Sequence, residues 1–240
     1  MKRLLPLLCL VAGLSQPVFA GNLSALSSLT QAEFRQMSED FGGAFSYKPL
    51  SPTIALGVTG FDVGVELTSS DVSKSARALS KAGATSTTTM DTMMVPKLHL
   101  HKGLPMGFDI SAFVANLSAI DAQLVGGELR YALIDGGVAS PAVGVRGAFT
   151  NLNGSNQLGF NTRSVDISVS KGFAILTPYI GIGQVWVNST PNVAGLSNEN
   201  FTQGKMFAGI NFNMGLINFL VETDKTGDTT TWGLKMGVRW

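Results

Sequence analysis

The chain has 240 residues with 17 basic and 16 acidic side chains, a balance that offers no basic surface for a nucleic-acid partner. Charged residues make up 14% of it and glycine reaches 28 positions, against a charged fraction of about 25% in an average soluble domain. No apolar run beyond residue 20 approaches the roughly 20 residues of a membrane helix, so a chain of this kind that crosses a bilayer must do so with strands.

Met1-Lys2-Arg3 followed by the apolar run Leu4 to Leu14 and by Val18-Phe19-Ala20 has the basic, apolar and small-residue order of a secretory signal peptide. Residues 1–20 are therefore set apart, with cleavage expected after Ala20. Cys9 lies inside this stretch behind Leu8, which does not suit lipidation, and the exported remainder has no cysteine to cross-link it. Without Lys2 and Arg3 the balance is 15 basic to 16 acidic.

Residues 21–52 form the first unit, a periplasmic helix and an extended linker. Thr30-Gln31-Ala32-Glu33 is a capping box. Phe34, Met37 and Phe41 recur at helical spacing, and Gly42-Gly43 offers a stop, giving an amphipathic helix over 31–41. Pro49 and Pro52 then predict extended backbone. This helix plugs a lumen, lies on the periplasmic membrane surface or binds a partner; its pattern does not choose.

From residue 54 to the C-terminus the period is 2 rather than 3.6. Strands are expected at 54–68, 94–103, 107–117, 123–134, 139–150, 161–171, 177–188, 201–213, 216–224 and 230–240. Most have the 9–11 residues of a tilted spanning strand. Connections alternate: those near 69–93, 118–122, 151–160, 189–200 and 225–229 are mostly long or polar, the others tight. Short periplasmic turns and longer external loops produce that alternation, and an even strand count returns both ends of residues 53–240 to the periplasm. The fold expected is all-β, an antiparallel transmembrane β-barrel of about ten strands, with eight or twelve as alternatives, preceded by the helix. Within 69–93, Val72, Ala76 and Leu79 on one helical face oppose Lys74, Arg77 and Lys81, a face that suits lipopolysaccharide phosphates or plain solvation.

One phase of the strands is apolar and the other carries small residues with charges of both signs. That second set comprises Asp62, Glu66, Lys97, His99, His101, Asp109, Glu128, Arg130, Arg146, Asp166, Lys205, Glu222, Lys235 and Arg239, which suits a crowded polar lumen better than a solvated wall. Aromatics fall near strand ends, at Phe108, Tyr131, Phe173, Tyr179 and Trp240 on one side and Phe149, Phe160, Trp186 and Trp232 on the other, as two interfacial girdles would. Tyr179 and Trp186 take opposite faces of one regular strand, so a bulge or a lumenal Trp186 is required there.

The signal, the alternating strands and the closing TWGLKMGVRW, with Trp232, Leu234, Met236, Val238 and Trp240 on one phase, resemble the bacterial outer-membrane β-barrel class over residues 54–240. The final ten residues are the most specific part of the likeness. The segment Leu56 to Asp62 is similar to a stretch in uncharacterised proteobacterial outer-membrane proteins, whereas porin, omptin and palmitoyltransferase patterns are not matched. The resemblance implies outer-membrane location, contact with lipid and lipopolysaccharide, and a terminal strand read by the barrel-assembly machinery. It implies no activity.

For chemistry, His99 and His101 share a face, but the neighbouring lysines oppose a metal ion, and no metal or cofactor is expected. Ser111 and Asp109 share their phase, making a hydrolytic triad conceivable with no supporting motif. The expected function is a small channel or transport barrel with a polar, plugged or open lumen, acting as a monomer. The alternatives are a closed barrel that works through its loops or helix, with its internal charges paired, and an envelope enzyme.

Overall fold

The computed structural model describes residues 23–81, 91–117, 120–137 and 140–240. The expected signal peptide and residues 82–90 of the expected 69–93 connection lie outside them. Ten strands, β1 (Phe61–Asp71), β2 (Thr92–Gly103), β3 (Phe108–Leu117), β4 (Ala122–Asp135), β5 (Ala142–Asn153), β6 (Leu158–Ser170), β7 (Leu176–Pro191), β8 (Glu199–Met214), β9 (Ile217–Thr226) and β10 (Thr229–Arg239), are joined in sequence order. Each pairs antiparallel with its neighbour, and β1 pairs with β10 to close the barrel. Closure leaves no unpaired edge, the condition for crossing lipid with strands.

The seam is set by the terminal sequence. Asp62 faces Arg239 and Ser70 faces Thr231 in register. One step further, the Phe61 N–H donates to the Trp240 carbonyl at 2.7 Å and the Trp240 N–H donates to the Phe61 carbonyl at 3.0 Å. The two rings stack with centroids 5.4 Å apart. Trp232, Leu234 and Trp240 are exposed on the outer surface, with Met236 and Val238 half-exposed between them. Leu98, Leu100, Ile110, Leu129, Val165, Ile180, Ile182 and Met206 are exposed in the same way around the wall. A continuous apolar exterior of this extent is far beyond what water tolerates on a monomer; hydrocarbon is the solvent it fits. The protein is a closed transmembrane β-barrel, and no described helix is long and apolar enough to span a membrane.

Three expectations are corrected. Residues 54–60 are not the start of β1; they run as irregular chain, with Gly57 at φ 74°, up to Phe61. Tyr179, not Trp186, is the lumenal member of its strand: Tyr179 is 4% exposed against 42% for Trp186, and the β6–β7 register runs through both without a bulge. Phe160 also leaves the outer girdle, since it is buried against the helix described next.

That helix, α1 (Gln31–Phe45), begins with the expected capping box: the Glu33 N–H donates to Thr30 Oγ1 and the Thr30 N–H to Glu33 Oε2. It continues through Gly42 and Gly43 to Phe45. The glycines serve contact rather than termination. A Cβ at Gly43 would overlap Thr229 on β10, with Cγ2 at 2.6 Å and Oγ1 at 2.7 Å, and one at Gly42 would meet Gln203 and come within 2.9 Å of Val187. Without side chains at these positions the helix backbone lies directly against the wall. Phe34, Met37, Phe41, Ala44 and Phe45 are fully buried, so α1 occupies the inside of the barrel and is not a separate periplasmic element. The second helix, α2 (Ser73–Lys81), follows β1, and its Ala76 and Leu79, with Val72 just before it, join the buried cluster that holds Phe34, Met37 and Phe41 of α1.

Candidate functional site in the barrel lumen

Because the period of a strand is 2, every second residue points inward. The whole expected lumenal set follows that rule: Asp62, Glu66, Lys97, His99, His101, Asp109, Glu128, Arg130, Arg146, Asp166, Lys205, Glu222 and Lys235 are at most 4% exposed. Arg239 sits at the mouth with its side chain 20% exposed. Asp224, two residues beyond Glu222 on the same phase and 1% exposed, was not in that set, because the expected strand ends there.

These groups are brought together in wall pairs. Arg146 grips Asp166 with Nε at 3.0 Å and Nη2 at 2.6 Å and reaches Glu128 at 3.3 Å. Arg130 grips Asp109 at 3.2 and 2.6 Å. Asp62 is shared by Lys235 at 3.1 Å and Arg239 at 2.6 Å. Lys97 lies over the Phe113 ring, 4.8 Å from its centroid. Bidentate guanidinium–carboxylate pairs are the arrangement that best offsets the desolvation of buried charge.

The remaining partners are not wall groups. After α1 the chain turns down the barrel axis as an extended strap, residues 46–56, held open by Pro49 and Pro52. Wall side chains grip it by its backbone. Lys205 donates to the Tyr47 carbonyl at 2.5 Å, and Glu222 accepts the Leu50 N–H at 3.1 Å. Lys235 donates to the Leu50 carbonyl at 3.4 Å, Arg130 to the Pro52 carbonyl at 2.5 Å, and Asp109 accepts the Leu56 N–H at 3.1 Å. Side chains add to this: Lys48 Nζ sits 2.5 Å from Asp224 Oδ1, and the Thr53 hydroxyl donates to Ser168 Oγ at 2.9 Å. Tyr47, Lys48, Leu50, Ser51 and Thr53 are site residues that sequence reasoning missed. The usable signal was Lys48, the one charge between Phe41 and Phe61.

Tyr47 also decides the fate of the conceivable triad. Its hydroxyl lies 2.8 Å from His99 Nε2 and 2.5 Å from Ser111 Oγ, while His99 Nδ1 meets Glu66. Ser111 and His99 are therefore bridged by a phenol, in the position a substrate would need. His101 Nε2 lies 3.2 Å from Arg130 Nη2 and 3.8 Å from Glu128, a hydrogen-bonding environment with a guanidinium in the place of a metal ion.

At the end bearing the long loops, expected to be the outer one, α1 is fixed at its rim. Ser38 and Ser189 hydroxyls meet at 2.8 Å, and Arg35 reaches Glu199 at 3.1 Å and lies over the Phe201 ring. Phe41 and Phe45 pack edge-on against Phe160 at 6.2 and 5.6 Å. Asp40 accepts the N–H and hydroxyl of Ser75 on α2 at 2.8 and 2.9 Å. Burial lifts the Asp40 carboxyl above the usual range, against the lowering effect of those two bonds. Of the basic face of α2, Lys74 is tied to Asp228 at 2.6 Å and Arg77 is exposed.

No protein-family model matches the chain, and no curated protein matches it in sequence. Solved structures do. The KdgM porin aligns with a TM-score of 0.39 and 9% identity over 74% of this chain and 98% of the porin. Ail, the attachment invasion locus protein of Yersinia pestis, gives 0.31 and 13% over 75% and 98%. A loop-deletion form of OmpT, an outer membrane protein of Vibrio cholerae, gives 0.33 and 10% over 61% of this chain, which spans about half the length of that protein. None of these likenesses bears on what this chain does.

Proposed function

We propose that the protein is a channel or transport barrel of the bacterial outer membrane, exported by residues 1–20 and inserted through its terminal strand, with residues 31–56 as a plug that closes the lumen at rest. The observation that carries this reading is the mode of attachment. The wall holds the strap largely by backbone N–H and C=O groups and one ammonium, contacts that water replaces readily when the strap leaves.

A barrel that stayed permanently closed would be filled at lower free-energy cost by apolar side chains, since buried ion pairs are often less stabilising than hydrophobic residues of similar volume. A polar wall suits a lumen that is wet in one of its states. The test is single-channel recording from the purified full-length protein in planar bilayers. Wild type gives infrequent openings, and Tyr47→Ala, which removes the His99 and Ser111 contacts and packing on Phe113, raises the open probability. Absence of conductance from both proteins, with the barrel shown to be inserted, overturns the proposal.

A further inference from the structure

The plug carries two cations into the barrel, and both sit on wall carboxylates: Arg35 on Glu199 at the rim and Lys48 on Asp224 deep inside. Two of the plug's acids are engaged by helices. Glu39 pairs with Arg35 on its own helix and Asp40 bonds α2. The inward wall thus holds eight carboxylates, Asp62, Glu66, Asp109, Glu128, Asp166, Glu199, Glu222 and Asp224, against six cations, Lys97, Arg130, Arg146, Lys205, Lys235 and Arg239, among the described residues. Removing the plug leaves that wall two negative charges in excess.

One charge of that excess lies at the rim, on Glu199, and the other lies deep. Arg130, Arg146, Lys235 and Arg239 keep their wall carboxylates whether or not the strap is present. Glu222 keeps only the Tyr179 hydroxyl, at 2.6 Å. Asp224 keeps the Thr226 hydroxyl on Oδ1 at 2.8 Å and the Lys205 ammonium 3.5 Å from Oδ2, too loosely placed to make a hydrogen bond to that oxygen. A carboxylate this deeply buried, with one ammonium seated on Oδ1 and a second 3.5 Å from Oδ2, is a site shaped for a cation.

We infer that Glu222 and Asp224 form the cation-binding step of the lumen, that Lys48 is its tethered occupant, and that the solutes admitted when the plug leaves are cations, including primary ammonium compounds. The selectivity part rests on the proposed channel function; the binding part does not.

The binding part is tested on full-length Lys48→Ala, with n-butylammonium as a free copy of the missing side chain. Lys48→Ala lowers the unfolding temperature, and n-butylammonium restores at least half of the loss in a saturable way. n-Butanol does not, and neither compound rescues Lys48→Ala with Asp224→Asn. If Lys48→Ala does not fold, recovery of heat-modifiable barrel on refolding with n-butylammonium replaces the temperature reading. Equal effects of amine and alcohol, or rescue that survives Asp224→Asn, overturn the site. The selectivity part is read from the reversal potential of Tyr47→Ala in a potassium chloride gradient. Preference for potassium that falls on adding Asp224→Asn agrees with it, and preference for chloride or none overturns it. A silent bilayer overturns the channel reading and leaves the rescue result to judge the site.

Discussion

Gly43→Ala sets two effects of opposite sign against each other on one helix. In the interior of a helix alanine is favoured over glycine by about 1 kcal/mol, so on propensity alone α1 gains. The added methyl, however, meets Thr229 at its Cβ, with Cγ2 and Oγ1 at 2.6 and 2.7 Å. Thr229 is 3% exposed, and its Cβ is fixed by the β10 backbone, so it cannot swing away. Overpacking of a well-filled core costs about 1–3 kcal/mol, and three overlapping atoms place this site at the upper end. The net cost of docking α1 is then about 2 kcal/mol, or roughly a 30-fold loss in the docked population. Hydrogen exchange of the α1 amides in the inserted protein measures that opening directly. Gly42→Ala should do less, because its nearest neighbour is the movable amide of Gln203, and Thr229→Gly should restore protection to Gly43→Ala. Unchanged or slower α1 exchange in Gly43→Ala would refute the claim that the glycines exist for close approach.

Deleting Trp240 removes both ends of the Phe61 pairing and should cut the yield of heat-modifiable barrel, while Trp240→Phe retains most of it; normal levels in the deletion would contradict the seam argument. Arg146→Met leaves Asp166 and Glu128 buried without their cation and should cost about 3–5 kcal/mol in denaturant unfolding, largely recovered by adding Asp166→Asn and Glu128→Gln. The Asp40 carboxyl has a folded pKa raised from 3.8 by burial. The folded state therefore binds its proton more tightly than the unfolded chain, and stability from this group falls as pH rises from 3.8 through the raised value. Thermal unfolding across that window should show the decline in wild type and less of it in Asp40→Asn.

The strands were readable from the sequence because a two-residue period leaves little choice: once one face of 61–71 or 229–239 meets lipid, the other is lumenal, and the fourteen expected charged and histidine positions follow, while Glu199 and Asp224 share the same inward phase without having been in that set. The plug was not readable in the same way. Phe34, Met37 and Phe41 demand a partner surface, but an amphipathic pattern does not say which surface. Gly42-Gly43 has the composition of a helix stop, and only the proximity of Thr229 and Val187 reveals why the helix passes through it. The stretch 54–60 is apolar enough to read as strand, yet its Leu56 N–H is taken by the lumenal Asp109, and the neighbouring strand's backbone reaches only Gly60, through the Gly103 N–H. Phe160 and Tyr179 were placed with the interfacial aromatics because of their positions along the strands, whereas the strand phase and the plug's need for aromatic contacts set them inside.

The central claim, that residues 31–56 close the lumen, is tested most directly by locking them in place. The Ser38 and Ser189 hydroxyls lie 2.8 Å apart between α1 and β7, close enough for a cysteine pair to bridge, and the only native cysteine, Cys9, lies in the expected signal peptide. Full-length Ser38→Cys with Ser189→Cys should be silent in planar bilayers when oxidised and regain openings when reductant is added to the same membrane. Equal conductance before and after reduction, with the cross-link verified, would contradict the account.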